Sequence, residues 1–309
     1  MQEQGALGAA LRRLASRISL TTAVILAVLK FAAWLATGSV ALLTSAVDAL
    51  VDAASSMATY AGVRYAGRPP DRDHRFGHGK GEALAGFTQA TFLAGAAMVL
   101  AFKSVERLIS PISLGPLDVG LWVIVVSLLA AAGLVAMQSW VVRKTGSTAI
   151  AADRAHYLTD VAVNAAVLVA LGITKWTGWT QADPIGALAI SVYMIWNAHS
   201  IAKEALVQLL DRELPTENRQ RIRNAILSCP GARNVHDLRT RFSGDRIFVE
   251  YHLEVDGELT VTHGHAIGDD TEAAVGKLFP EMVEVTAHLE PVGIVDDRLD
   301  DRVRPAASA

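Results

Sequence analysis

The chain has 309 residues, 51% hydrophobic and 19% charged, with a formal net charge of −3 at pH 7. A soluble domain of ordinary composition carries about 25% charged residues, and the charges here crowd into the last third, so a uniform globular fold is excluded. The one cysteine, Cys229, excludes a disulfide framework, a thiolate zinc finger and a CxxC redox pair. Metal chemistry, if present, must use His and carboxylates.

Residues 1–210 carry 16 Lys and Arg against 12 Asp and Glu, a net of +4, whereas residues 211–309 carry 12 against 19, a net of −7. That division predicts a membrane portion followed by an acidic soluble domain. Residues 1–17 read as an N-terminal cytoplasmic segment without a cleavable signal, because the start lacks a basic region and the first apolar run is too long. Apolar stretches then follow: Ile18–Thr37, a second reaching Tyr65, Ala83–Phe102, Val119–Val142, Thr148–Thr174 and Ile185–Val207. A span needs about 20 apolar residues to cross a core of about 30 Å. The reading is a polytopic α-helical membrane protein with six transmembrane helices over residues 18–209.

Orientation follows from basic residues in the connections. Arg12, Arg13 and Arg17 precede the first span, Arg64, Arg68, Arg72, Arg75 and Lys80 surround the second connection, and Arg143 and Lys144 follow the fourth span. The opposite connections, at Gly38 and across Ser110–Asp118, have none. Both termini are therefore expected in the cytoplasm of a multi-pass inner (cytoplasmic) membrane protein. Lys30, inside the first span, is expected to snorkel toward the outer interface.

Ionisable residues within spans are costly and mark functional interiors. The second span carries Asp48 and Asp52, and the fifth carries His156 and Asp160, each pair spaced i, i+4 on one helical face. The rise per residue puts all four roughly 12–20 Å into the bilayer, near its midplane. Three carboxylates and an imidazole make a four-coordinate set for Zn²⁺ or a similar divalent ion. Crowded carboxylates repel unless an ion or protons neutralise them, so such a site exchanges metal for protons. Spacing alone leaves open polar helix packing or a proton relay without metal. In the connection after the second span, Asp71, His74 and His78 form a second donor cluster within eight residues, with Asp73 as an alternate to Asp71. A solvated basic loop beside anionic headgroups is the other reading there.

After Asp211–Pro215, Thr216 is expected to cap a helix running to Leu227. Asn234–Arg241 and Arg246–Val255 read as strands joined at Ser243-Gly244-Asp245, Val261–Phe279 as a helix, and Val283–Glu290 as a last strand. This α-β-β-α-β order over residues 210–291 is an α+β domain similar to small metallochaperones. Residues 292–309 read as a disordered acidic tail.

The motifs together carry a family resemblance. Ser45-Ala-Val-Asp48-Ala-Leu-Val-Asp52, Asp71-Arg-Asp-His74-Arg-Phe-Gly-His78-Gly-Lys80, His156-Tyr-Leu-Thr-Asp160, Asp183-Pro184-Ile-Gly186, Leu210-Asp211-Arg-Glu-Leu-Pro215 and Val235-His236-Asp-Leu-Arg-Thr240 resemble those of the cation diffusion facilitators. The likeness covers roughly residues 12–291 and is nearest to the bacterial zinc and ferrous-iron efflux members. It implies a homodimeric, proton-coupled antiporter that exports divalent metal by alternating access, a secondary transporter rather than an enzyme. The implied transport site is Asp48, Asp52, His156 and Asp160, of the zinc/cadmium type. Zn²⁺ is the implied cargo and regulatory ion, with Fe²⁺, Cd²⁺ or Co²⁺ as further substrates. The resemblance also implies a metal role for Asp71, His74 and His78, a hinge pair of Lys80 with Asp211, and a two-metal cytoplasmic site. That site maps onto His236, His252, His265 and His288, with Glu290 where near relatives have Asp. His263 and His199 match no ligand position. The bilayer, metal ions and protons are the expected partners, and no nucleic acid is expected. Two rival readings are a metal-responsive sensor or scaffold without transport and an intramembrane metalloenzyme. The second lacks an open coordination position and any HExxH or nucleophile motif.

Overall fold

A computed structural model describes residues 2–37, 40–109, 118–177, 179, 181–279, 282–293 and 298–302. Six long helices come first: α1 (Gln2–Thr37), α2 (Val40–Ala66), α3 (Lys80–Ile109), α4 (Asp118–Thr145), α5 (Thr148–Thr177) and α6 (Ala182–Leu209). Among the described residues, stretches of four of them, Leu7–Leu35, Lys80–Ile109, Val125–Thr145 and Pro184–Leu209, are long and apolar enough to cross a membrane. They leave large apolar side chains such as Phe102, Leu129 and Trp196 uncovered, a surface suited to lipid and not to water. The connections at Gly38–Ser39 and 110–117 lie outside the described residues.

The first helix begins at Gln2, so residues 2–17, expected as a segment ahead of the first span, are part of α1. Ala, Leu, Gln and Arg dominate that stretch, and all are good helix formers. Small residues set the helix packing. Ala15, Val63, Ala85, Ala149 and Ile150 form one buried cluster across α1, α2, α3 and α5. A Cβ on Gly62 would lie 2.3 Å from the Cβ of Ala85, so α2 and α3 meet at backbone distance through a position only glycine fits.

The chain divides into two compact units, one of residues 7–206 and one beginning at Val207. The second contains α7 (Thr216–Leu227), β1 (Asn234–Ser243), β2 (Arg246–Val255), α8 (Val261–Gly276), β3 (Met282–Pro291) and the single turn α9 (Leu299–Arg302). Pro215, not Thr216, occupies the cap position of α7, and Thr216 Oγ1 instead accepts from Arg219. The sheet order is β1-β2-β3, with β1 and β2 antiparallel and β2 and β3 parallel. Gly244 closes the β1–β2 hairpin at φ 67°, a backbone region open to glycine. Alternation along β2 sends Ile247, Val249, Tyr251, Leu253 and Val255 into a core with Ile222, Ile226 and Val275 of α7 and α8. The opposite face of the sheet carries His236, His252 and His288.

Candidate metal centres

In the helical unit, α2 and α5 bring three of the four expected ligands together. Donor atoms of Asp52, His156 and Asp160 lie within 4.8 Å of one another. His156 Nε2 is 2.9 Å from Asp52 Oδ1 and 4.0 Å from Asp160 Oδ2, and the imidazole is buried. His156 Nδ1 is also buried and has no hydrogen-bond partner. The i, i+4 spacing places His156 and Asp160 one above the other on α5, facing Asp52 across the α2–α5 seam.

Asp48 stands outside that trio but lines the same cavity of about 820 Å³ with Asp52, His156 and Asp160. Lys30 and Lys103 line it too. Lys30, expected to snorkel toward the outer interface, is half-buried and among the residues lining this cavity. The cavity thus holds three carboxylates and an imidazole together with two lysines.

Directly along α5 lies a residue the sequence reading passed over. Asp153 is fully buried and accepts from Ser19 Oγ at 2.6 Å, Gln138 Nε2 at 2.6 Å and Gln89 Nε2 at 3.4 Å. Its spacing from His156 and Asp160 is i, i+3, i+7, which is the same helical stripe. That stripe was the available signal, hidden because Asp153 sits near the predicted start of the span beside Arg154.

The connection between α2 and α3 brings Asp71, His74 and His78 into one cluster. Asp71 Oδ1 accepts the backbone N–H of His74 at 2.7 Å and of Asp73 at 3.0 Å, folding the loop back on itself. Asp71 Oδ2 lies 3.3 Å from His78 Nε2, and the two imidazole rings are 4.5 Å apart. The His74 N–H holds the Asp71 carboxyl below the ordinary carboxylate range. His78 is buried against the Tyr65 ring, leaving its Nδ1 unpartnered. Asp73 donates its N–H to Asp71 and does not replace it in the cluster.

In the second unit the register explains the site. His236 pairs with His252, and His252 pairs with His288, so the three stand in one row across the sheet. Glu254 and Glu290 form the adjacent row, two residues along and on the same face. His252 Nδ1 is 2.6 Å from Glu290 Oε1, and His236 Nε2 is 3.2 Å from Glu290 Oε2. The Glu side chain thus reaches between two imidazoles despite its extra methylene. His288, more exposed, lies 3.5 Å from Glu290. Both ring nitrogens of buried His236 lack a hydrogen-bond partner. Orphaned imidazole nitrogens facing a carboxylate fit a divalent metal, and His236, His252 and Glu290 are the residues placed to hold it. His265 is not brought into the cluster: it sits exposed on α8, 3.7 Å from Asp269.

Two further placements differ from expectation or bear on it. Residues 298–302, within the stretch read as a disordered tail, are ordered by specific contacts. Asp237, at φ 49°, accepts the backbone N–H groups of Leu299 and Asp300 at 2.9 Å each, and Asp300 accepts that of Asp237. Arg298 pairs with Glu254 at 2.8 Å. The tail residues 294–297 and 303–309 lie outside the described residues. Of the expected hinge pair, Lys80 opens α3 in the first unit, while Asp211 in the second lies 3.5 Å from Arg241.

Comparisons with known proteins identify the family of the chain. Residues 16–210 match the family described as Cation efflux transmembrane domain, and residues 214–292 match Cation efflux protein, cytoplasmic domain. The cation-efflux pump FieF of Klebsiella pneumoniae is 42% identical over 286 residues, covering 92% of this chain and 95% of its own. FieF of Salmonella choleraesuis gives the same figures. The metal-bound C-terminal domain of the CzcD transporter from Thermotoga maritima, a solved structure, is 29% identical over 26% of this chain and 93% of its own, with a TM-score of 0.25. The relatives are pumps and not enzymes, and this chain, with its membrane-crossing helices and C-terminal α/β domain, belongs to the cation-efflux family of membrane transporters.

Proposed function

We propose that this chain is a proton-coupled exporter of divalent metal with Zn²⁺ as its cargo, and that Fe²⁺, Cd²⁺ and Co²⁺ are secondary substrates. The observation that carries the reading is the Asp52, His156 and Asp160 cluster, three donors within 4.8 Å of one another at a cavity inside a helix bundle. Two carboxylates and an imidazole suit zinc, and Asp48 in the same cavity supplies the fourth donor for a tetrahedral ion. Protons and metal compete for the same lone pairs. Opening the cavity to the cytoplasm loads metal, and opening it to the far side lets protons displace it, which is alternating access.

In this reading all six helices span the inner membrane with both termini in the cytoplasm, as the basic connections favour. The protein works as a homodimer through its C-terminal domain, in line with the dimer domain family that residues 214–292 match. His236, His252 and Glu290, with His288 and by resemblance His265, bind cytoplasmic zinc and report its level to the transporter. Asp71, His74 and His78 hold a further zinc ion, and Lys80 with Asp211 forms the hinge pair.

The test is zinc flux into proteoliposomes across an imposed pH gradient, with Fe²⁺, Cd²⁺ and Co²⁺ as competitors. Zinc uptake that rises with the outward-favouring proton gradient and vanishes in Asp160→Ala supports the proposal. Flux indifferent to the gradient, or retained in Asp160→Ala, overturns it.

A further inference from the structure

A fully buried polar assembly in the helical unit is centred on Asp153, and it lies beside the metal cluster without belonging to it. Its partners come from separate helices: Ser19 from α1, Gln89 from α3 and Gln138 from α4. The assembly reaches α2 twice. Ser55 Oγ donates to Gln89 Oε1 at 2.6 Å, and Ser56 Oγ is 3.3 Å from Ser19 Oγ and 2.9 Å from the Tyr157 hydroxyl. One carboxylate therefore ties five helices, and Asp153, Ser19, Ser55, Ser56 and Gln89 are all fully buried.

Every hydrogen bond to Asp153 comes from a neutral group. Hydroxyl and amide donors occupy its lone pairs but leave its charge uncompensated, and a buried charge without a counter-ion is costly. The group placed to compensate it lies on the same stripe. His156 is one turn further along α5, about 4.5 Å in rise, and Asp160 two turns along. Ser56, in the same assembly, is four residues beyond Asp52 on the ligand-bearing face of α2. The charge thus lies about one helical turn from the place where Asp52, His156 and Asp160 converge.

We propose that Asp153 is a charge-setting and positioning residue of the transport centre: it never ligates the cargo, but its buried carboxylate strengthens cation binding and its hydrogen bonds fix α5 so that His156 meets Asp52. The inference rests on the transport reading above and names a residue that reading does not use. Because a field in a site shielded from water falls off slowly with distance, a carboxylate one helical turn away bears on a divalent ion without touching it.

The structure also supplies a clean substitution. Gln138 Nε2 donates to Asp153, while Gln138 Oε1 is buried without a hydrogen-bond partner. In Asp153→Asn the Gln138 amide flips, and the new amide donates to that oxygen. That hydrogen bond survives and the charge is lost, while the Ser19 hydroxyl, which donates to the same carboxylate oxygen, turns to accept the second N–H. Asp153→Ala removes both. In Asp153→Asn with Gln138→Glu the carboxylate returns, moved to the other end of the same hydrogen bond.

The experiment is zinc flux by the full-length protein in proteoliposomes, with KM and kcat read separately and folding followed by thermal melting in detergent. Asp153→Asn is expected to raise KM for zinc about 10-fold with kcat within about two-fold of wild type, and to keep the melting temperature within a few degrees. Adding Gln138→Glu restores KM. Asp153→Ala lowers the melting temperature as well. An unchanged KM in Asp153→Asn overturns the proposal, as does a raised KM that Gln138→Glu fails to reverse, which would leave Asp153 a packing residue. A wild type that moves no zinc overturns the transport reading and this inference with it, whereas flux with an unaltered Asp153→Asn KM sinks the inference alone.

Discussion

His156 Nε2 and Asp52 Oδ1 stand 2.9 Å apart although 104 residues separate them in the chain. The contact joins the two helices whose polar pairs interrupt otherwise apolar spans, and it fixes their faces toward each other. Removing either partner leaves the other without its companion, as well as subtracting a donor from the cavity. His156→Ala and Asp52→Asn are each expected to lower zinc flux in proteoliposomes by about 100-fold, near the upper end of losses seen when metal-site residues are disturbed. Both should still elute as folded protein. Retention of more than a tenth of wild-type flux in either variant would remove this pair from the transport centre.

The α2–α3 contact makes a separate demand. With a Cβ on Gly62 placed 2.3 Å from the Cβ of Ala85, the helices must separate, because the obstructing atom sits next to a backbone and cannot rotate away. Gly62→Ala is expected to lower stability by about 1–3 kcal/mol, read as a fall in the detergent melting temperature. The paired change Ala85→Gly in the same chain should recover much of it. Equal melting temperatures for Gly62→Ala and wild type would show that the helices do not pack so closely.

At the sheet, Glu290 sits between two imidazoles, 2.6 Å from His252 and 3.2 Å from His236. Its carboxylate is therefore expected to serve both histidines around a bound ion. Glu290→Ala should lower zinc bound per chain at equilibrium by at least one ion or weaken it by about 10-fold or more, and His236→Ala should do the same. Glu290→Asp keeps the charge but draws the oxygens back by one methylene, so its loss should be smaller than that of Glu290→Ala. The measurement is zinc content and competition with a chelator on the full chain. A Glu290→Ala protein with unaltered zinc content and affinity would contradict the assignment.

Much of this was legible in the sequence, and the failures have physical causes. The i, i+4 pairs at Asp48/Asp52 and His156/Asp160 were readable because a charge inside an apolar run has few innocent explanations. The alternation of β2 was readable because one face is core. Sheet register was not, since it depends on pairing between segments remote in the chain, and only register shows that His236, His252 and His288 share one row. Asp153 was missed because it lies near a span's edge, where a carboxylate normally meets water. The turn at Leu299–Arg302 escaped because an acidic stretch resembles a solvated tail until its partner, Asp237, is in place.

That partner gives the last prediction. Asp237 is buried, which by itself would raise its pKa, but the Leu299 and Asp300 N–H groups outweigh burial and hold the carboxyl below its ordinary value of 3.8. A lowered folded-state value means the ionised form is the one that binds the turn. Its contribution is therefore fully present above the ordinary carboxylate pKa and is lost as pH falls below it. Hydrogen exchange of the Leu299 and Asp300 amides, corrected for intrinsic rates, should show protection at pH 7 that declines below about pH 4. Asp237→Asn is the matching variant, since asparagine tolerates φ 49° yet cannot offer a charged acceptor to two donors. Bonds to a charged group contribute about 1.5–3 kcal/mol, so protection at pH 7 should fall about 10-fold and lose its acid dependence. Protection that is equal in the two proteins, or that grows as the pH is lowered, would show that the turn is held by Arg298 and Glu254 and not by Asp237.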